Sequence, residues 1–262
     1  MKLSGQVEWV QPWVYADLTR VGSACDGGYV VPQNLLVGID ALISFGVSVD
    51  WNFEKDIRRI RPDIPIHCYD HTVGAKLFLK HFMAGCLGFL NGSERFAGVV
   101  TRFKTRGEYK RFFSGRTRHF ASRIFNRHDS AIDATVDDVF ERIGESRHAL
   151  LKMDIEGGEY RVIPDILGHA DKIDIMIIEF HDTDPLRAVF AEQMRLLSEH
   201  FHVAHVHGNN YCGRARDGLP DALEMTLVNR RLGQPSERRT SLPLAGLDSP
   251  CNPGVPELAI AF

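Results

Sequence analysis

Two strings of this 262-residue chain carry most of its potential chemistry. Asp154-Ile155-Glu156-Gly157-Gly158-Glu159 places three carboxylates within six residues, and Glu179-Phe180-His181-Asp182 brackets an imidazole with two more. Crowded carboxylates repel one another unless something cationic sits among them. Oxygen donors with one imidazole can hold a divalent metal such as Mg²⁺, here through Asp154, Glu179 and His181. The same groups can move a proton, because an imidazole titrates near neutral pH. Asp154, Glu156, Glu179 and His181 are therefore the candidate catalytic residues. His207, in His205-Val206-His207-Gly208-Asn209-Asn210, is an alternative base. The plainer reading of all these groups is solvated loop charge, helix capping and a structural histidine.

Two strings nearer the amino terminus suit a ligand rather than a reaction. In Ser44-Phe45-Gly46-Val47-Ser48-Val49-Asp50-Trp51-Asn52-Phe53-Glu54, small residues at 46 and 48 allow backbone to approach a ligand closely. This is not a G-x-G-x-x-G fingerprint, and an ordinary strand-to-helix turn reads the same way. In Tyr69-Asp70-His71-Thr72, Asp70 lies about 20 residues beyond that turn, where an acid can accept hydrogen bonds from ribose hydroxyls. A helix cap is the alternative for Asp70.

Strands and helices must alternate to bring these strings together. Ala41–Phe45, Ile66–Tyr69, Gly98–Phe103, Ala149–Met153, Ile173–Phe180, Phe201–Val206 and Leu223–Val228 read as strands from their short apolar runs. Helices are expected over Phe53–Ile60, Lys76–Met83, Thr135–Ile143 (with Thr135 as N-cap) and Pro185–His200. The pattern implies an α/β fold: a mostly parallel twisted sheet with helices on both faces. Such sheets bind ligands beyond the carboxyl ends of their strands, and all four strings fall there. One domain over residues 1–232 is expected, with a Pro-rich extension over 233–262.

Composition sets the outer limits. Hydrophobic residues are 44% and charged residues 25% of the chain, which excludes wholesale disorder. No apolar run approaches the roughly 18–20 residues of a membrane span. The first residues lack an apolar core, and five scattered cysteines include no C-x-x-C; both fit a reduced, cytoplasmic protein. The net charge of −3 conceals an asymmetry: Thr101–His128 carries nine Lys or Arg against the single acid Glu108. Aromatics interleave these cations, so the segment can meet an anion, grip nucleic acid, or pack as a structural insertion.

The strings Asp26-Gly27-Gly28-Tyr29, Ser44-Phe45-Gly46, Asp50-Trp51, Phe53-Glu54, Tyr69-Asp70-His71-Thr72, Leu151-Lys152-Met153-Asp154-Ile155-Glu156-Gly157-Gly158-Glu159 and Ile178-Glu179-Phe180-His181 together resemble the FkbM-type methyltransferase family. The resemblance runs from about Asp26 to Asp182 and more faintly to Arg230. It implies a Rossmann-like, S-adenosylmethionine-dependent enzyme that O-methylates hydroxyls of sugars and related natural products. On that pattern Gly46, Ser48, Asp50, Glu54, Asp70, His71, Thr72 and Asp154 form the cofactor site. Gly46 and Ser48 would pass beneath the methionine part, Asp70 would hold the ribose, and Asp154 would sit where donor meets acceptor. His71 stands where proline is expected, and the basic segment is longer than the family core needs.

The acceptor implied is a small molecule or glycan, which can be phosphorylated, nucleotide-linked or lipid-linked; the last would draw the protein to a membrane surface. An RNA methyltransferase gripping nucleic acid through residues 101–128 is the competing reading, and a non-catalytic binding module of the same fold is the third. The apolar end Leu258–Phe262 is expected to dock on its own domain, rather than cover the site or join a homo-oligomer.

Overall fold

The structure, a computed structural model, describes residues 8–74, 83, 96–233 and 235–262. Seven strands build the central sheet: β1 (Ala41–Phe45), β2 (Ile66–Tyr69), β3 (Thr117–Phe120), β4 (Ala149–Met153), β5 (Ile173–Phe180), β6 (Phe201–Gly208) and β7 (Leu223–Asn229). Their spatial order is β6-β7-β5-β4-β1-β2-β3. β1 to β5 pair in parallel, while β7 runs antiparallel to both β5 and β6. The chain lays down β1, β2 and β3 in one direction, then returns to start β4 on the other side of β1. That reversal opens a crevice at the carboxyl ends of β1 and β4.

Helices cover both faces. The main ones are α1 (Asn52–Ile60), α2 (Phe96–Phe112), α3 (Val136–Ile143), α4 (Glu159–Leu167) and α5 (Arg187–His200). On one face, Leu42, Leu150, Ile175 and Ile177 pack against Phe53 and Ile57 of α1 and against Tyr29 and Val31 of a hairpin (Leu18–Gly22 with Gly28–Pro32). On the other, Ile43, Leu151 and Ile178 meet Val139 of α3, Ile163 of α4 and Phe190 of α5. Every residue of β1, β2, β4 and β5 is buried, which is why these strands read as mostly apolar runs, interrupted only by His67, Lys152, Asp174, Glu179 and the small Ser44. Each fully buried Leu or Ile contributes about 1.5–3 kcal/mol of transfer free energy.

Local signals hold where they are strong. Thr135 caps α3 in a reciprocal box: its Oγ1 accepts from Asp138 N at 3.3 Å, and Asp138 Oδ2 accepts from Thr135 N at 2.8 Å. β2 and β5 have the expected bounds. The strand expected at Gly98–Phe103 is instead part of α2, and the third strand is Thr117–Phe120. The end of that helix is fixed by packing: Tyr109 and Phe113 stand edge-on or tilted to Trp51 at 6.0 and 5.6 Å. A short β-branched run has no strand preference strong enough to resist such a tertiary context. The helix expected at Lys76–Met83 lies, Met83 apart, outside the described residues.

The segment after Gly233 returns to the body. Ser241–Leu242 pairs with Ile260–Ala261, and Leu242, Cys251 and Ile260 are buried. Among the described residues no helix is long and apolar enough to cross a membrane, and the four described cysteines are unbridged.

Candidate active site

The ends of β1 and β4 are locked to each other before any ligand is considered. Asp154 N donates to Phe45 O at 2.9 Å, and Gly46 N donates to Tyr69 O at 3.0 Å. Gly46 has φ +74°, and a Cβ there would lie 1.6 Å from the Asp154 carbonyl oxygen. Only glycine fits, for steric and for conformational reasons. The Gly46 carbonyl accepts from the buried Lys152 ammonium at 2.8 Å. Burial works to lower the Lys152 pKa, but Glu54, Asp154 and Glu179 outweigh it and raise it, so the ammonium stays charged.

Asp70 organises the neighbouring loop. Its Oδ2 accepts from Val47 N and Ser48 N at 3.0 and 2.8 Å; its Oδ1 accepts from Thr72 N and Thr72 Oγ1 at 2.7 and 2.6 Å. Burial alone would raise this carboxyl, yet these hydrogen bonds lower it. Ser48, Glu156 and Asp182 are non-glycine residues with φ of 51°, 55° and 54°. One such residue follows each of β1, β4 and β5, so backbone strain is concentrated at the crevice.

A cavity of about 330 Å³ opens there, lined by Gly46, Ser48, Asp70, His71, Thr72, Asp154 and Glu156, with Tyr69, Ile124 and Ile155 as apolar walls. Six of the eight expected cofactor residues thus share one cavity. Asp50 and Glu54 do not line it. Asp50 turns to Ser23 and to the start of α1, accepting from Asn52 N at 2.9 Å. Glu54 is buried under the sheet edge, accepting from Ser44 Oγ at 2.6 Å. Of the basic segment, Ser122, Arg123 and Ile124 reach the cavity. Arg111 of the segment instead shares a groove with Arg58 and Arg59 of α1 and with Thr117, the first residue of β3, at the opposite end of the strands.

Next to the cavity, His181 gathers four carboxylates. Its Nδ1 meets Glu159 Oε1 at 3.1 Å, and its Nε2 lies 3.9 Å from Asp154, 3.5 Å from Glu156 and 3.7 Å from Glu179. Tyr160 OH donates to the His181 carbonyl at 2.6 Å, so two successive residues of α4 fix both its backbone and its ring. Asn209 Nδ2 donates to Glu179 Oε1 at 2.7 Å. Burial, then the Glu224 and Asp154 charges, raises the Glu179 carboxyl to about 8. Burial works to lower the His181 pKa, but Glu159, Glu179 and Asp154 outweigh it and raise it to about 9. Burial also raises Asp154. His181 is thus an imidazolium at neutral pH, held among the Asp154, Glu159 and Glu179 side chains. Asp154, Glu156 and His181 bring donor atoms within 4.8 Å of one another.

Sequence reasoning passed over Glu159, Tyr160, Asn209 and Lys152. Glu159 and Lys152 lie within the quoted string; only the fold shows that Glu159 accepts from Ile155 N and Gly157 N while holding His181. His207 stands apart from the cavity, buried against Glu224.

Residues 98–205 match the family described as the methyltransferase FkbM domain. The match covers less than half of the chain, and over that segment the chain is similar to the family. The matched segment contains β3 to β5 with Asp154, Glu159, Glu179 and His181, and it includes the basic segment. No curated protein matches the chain. Among solved structures, the chain is similar to that of a fibrillarin/Nop5p complex (10% identity, 73% of each chain, TM-score 0.36). It is similar to the precorrin-6y C5,15-methyltransferase of Geobacter metallireducens (8% identity, 75% of this chain and 87% of that one, TM-score 0.36). It is also similar to the mitomycin 7-O-methyltransferase MmcR (10% identity, 74% and 50%, TM-score 0.30). The matched segment lies within the α/β fold described above, from α2 into β6.

Proposed function

We propose that this chain is an S-adenosylmethionine-dependent O-methyltransferase acting on a hydroxyl of a sugar, glycan or related natural product. One observation carries the reading: the cavity at the ends of β1, β2 and β4 is continuous, through Asp154 and Glu156, with a proton-handling group built on His181. The lining fits the donor chemically. Tyr69, Ile124 and Ile155 offer apolar walls for a base, Asp70 and Thr72 offer polar atoms to a ribose, and Asp154 and Glu156 suit a cationic centre. When bound, S-adenosylmethionine supplies an activated methyl group on a sulfonium.

The chain's own residues then have three tasks. Gly46 and Asp154 fix the floor, so that the acceptor hydroxyl is held in line for displacement. Asp70 keeps the loop at Val47 and Ser48 in place. Of its four donors the Thr72 hydroxyl is the one that can rotate away and make room for a ribose hydroxyl. His181, after losing its own proton to solvent, takes up the acceptor proton at Nε2, with Glu179 beside the ring to stabilise the imidazolium that forms. Asp154 and Glu156 would hold the positive centre of the donor, and a charge held there would weaken their pull on the His181 proton. Glu159 then holds the ring with Nε2 toward the reaction.

The test is transfer of labelled methyl from S-adenosylmethionine to a panel of free, nucleotide-linked and lipid-linked sugars, with RNA as a further acceptor. Label in a stable sugar ether supports the reading. Label in RNA would move the function to the competing class, and donor binding without any transfer would favour a binding module.

A further inference from the structure

A second buried cluster adjoins this site through Glu224, the register partner of Glu179. His207 of β6 and Glu224 of β7 are direct register partners, and His207 Nδ1 stands 2.6 Å from Glu224 Oε2. Cys251, from the C-terminal extension, places its Sγ 3.7 Å from Glu224 Oε1 and 4.0 Å from His207 Nδ1. All three side chains are buried, and their donor atoms lie within 4.8 Å of one another. On the far side of the ring, His207 Nε2 meets Glu257 Oε2 at 3.1 Å.

We infer that His207, Glu224 and Cys251 form a zinc site that clamps the C-terminal extension to the sheet. The donor set, one nitrogen, one oxygen and one sulfur, is that of zinc rather than of Mg²⁺ or Ca²⁺. Zn–S of about 2.3 Å and Zn–N or Zn–O of about 2.0–2.2 Å set tetrahedral edges of about 3.4–3.6 Å. The sulfur distances, 3.7 Å to Glu224 Oε1 and 4.0 Å to His207 Nδ1, exceed those edges by about 0.1–0.5 Å, and Glu224 Oε2, now 2.6 Å from the ring, has to draw back by less than about 1 Å.

Glu257 supplies the second, independent indication. Metal-ligating histidines donate their other N–H to a carboxylate, which fixes the tautomer and leaves the first nitrogen free for the metal. Glu257 occupies that place. A void of about 10 Å³ borders His207 and Glu224. That is about the room one water needs. Binding exchanges protons for the metal: Zn²⁺ enters, the Cys251 thiol releases one proton, and His207 releases the proton shared with Glu224. None of the three side chains lines the cavity at Asp70, and the metal would tie the extension to β6 and β7.

Metal content of the full-length chain decides the matter. The untagged protein is exposed to Zn²⁺, dialysed, checked for folding by circular dichroism and analysed by mass spectrometry. The expected result is about one zinc per chain in the wild type and in His181→Asn, and none in Cys251→Ser. Glu257→Gln should weaken binding about 10- to 100-fold. Cobalt in place of zinc should give a thiolate charge-transfer band that Cys251→Ser abolishes. A folded wild type that retains no metal would overturn the inference without recourse to any variant. Metal that survives Cys251→Ser but is lost in His181→Asn would assign it to the other cluster and overturn the inference as well.

Discussion

His181 Nδ1 stands 3.1 Å from Glu159 Oε1, while its Nε2 faces Asp154, Glu156 and Glu179 at 3.5 to 3.9 Å. One nitrogen is tied to the first turn of α4 and the other points to the mouth of the cavity. The ring therefore has one orientation and one nitrogen available for proton transfer. His181→Ala should keep donor binding, since His181 does not line the cavity, but should lower turnover by about 10²- to 10⁴-fold. Titration calorimetry with S-adenosylhomocysteine beside a turnover assay checks both halves. Near-normal turnover would remove His181 from the mechanism.

The same ring gives stability a pH dependence. Its folded-state pKa, about 9, lies above the ordinary 6.5. The stabilisation is therefore complete below pH 6.5 and is lost as pH rises through 9. Thermal midpoints between pH 7 and 9.5 should fall, and His181→Asn should flatten the fall. An equal slope in the variant would show that His181 is not held as an imidazolium.

Binding of a cationic donor competes with the same protons. S-adenosylmethionine should bind more tightly as pH rises from 7 to 9, whereas the uncharged thioether product should show a weaker trend. Parallel titrations of both ligands measure the difference, and equal slopes would place the sulfonium away from Asp154.

Gly46 tests the floor of the site. A Cβ at 1.6 Å from the Asp154 carbonyl forces the β1 and β4 ends apart, on a backbone that already has φ +74°. Gly46→Ala should cost about 3 kcal/mol or more of stability and abolish donor binding. Thr135→Ala is the control: it should cost about 1 kcal/mol through loss of the capping box, with turnover unchanged.

The sequence made the strand ends legible because buried parallel strands are short apolar runs, and the polar residues that follow them stand out. Ile66–Tyr69 and Ile173–Phe180 have their expected bounds for that reason. Gly98–Phe103 misled because its local pattern is that of a strand, while the packing of Tyr109 and Phe113 on Trp51 is nonlocal. Asp50 and Glu54 lie in the right string but face Ser23 and Ser44, a matter of where α1 begins. Glu159 could be quoted but not assigned, because its partner His181 is 22 residues away. Cys251 and Glu257 gave no signal at all, since only the return of the extension brings them to His207.

The central claim is that the cavity lined by Gly46, Asp70 and Asp154 binds the methyl donor. Thermal unfolding with saturating S-adenosylhomocysteine tests it most directly. At about 100 times its dissociation constant the ligand adds roughly 2.7 kcal/mol of stability. That should raise the midpoint by about 5–10 °C in a chain of this size. The expected result is that rise in the wild type and its loss in Asp70→Ala. No rise in folded wild-type protein at saturating ligand would contradict the account.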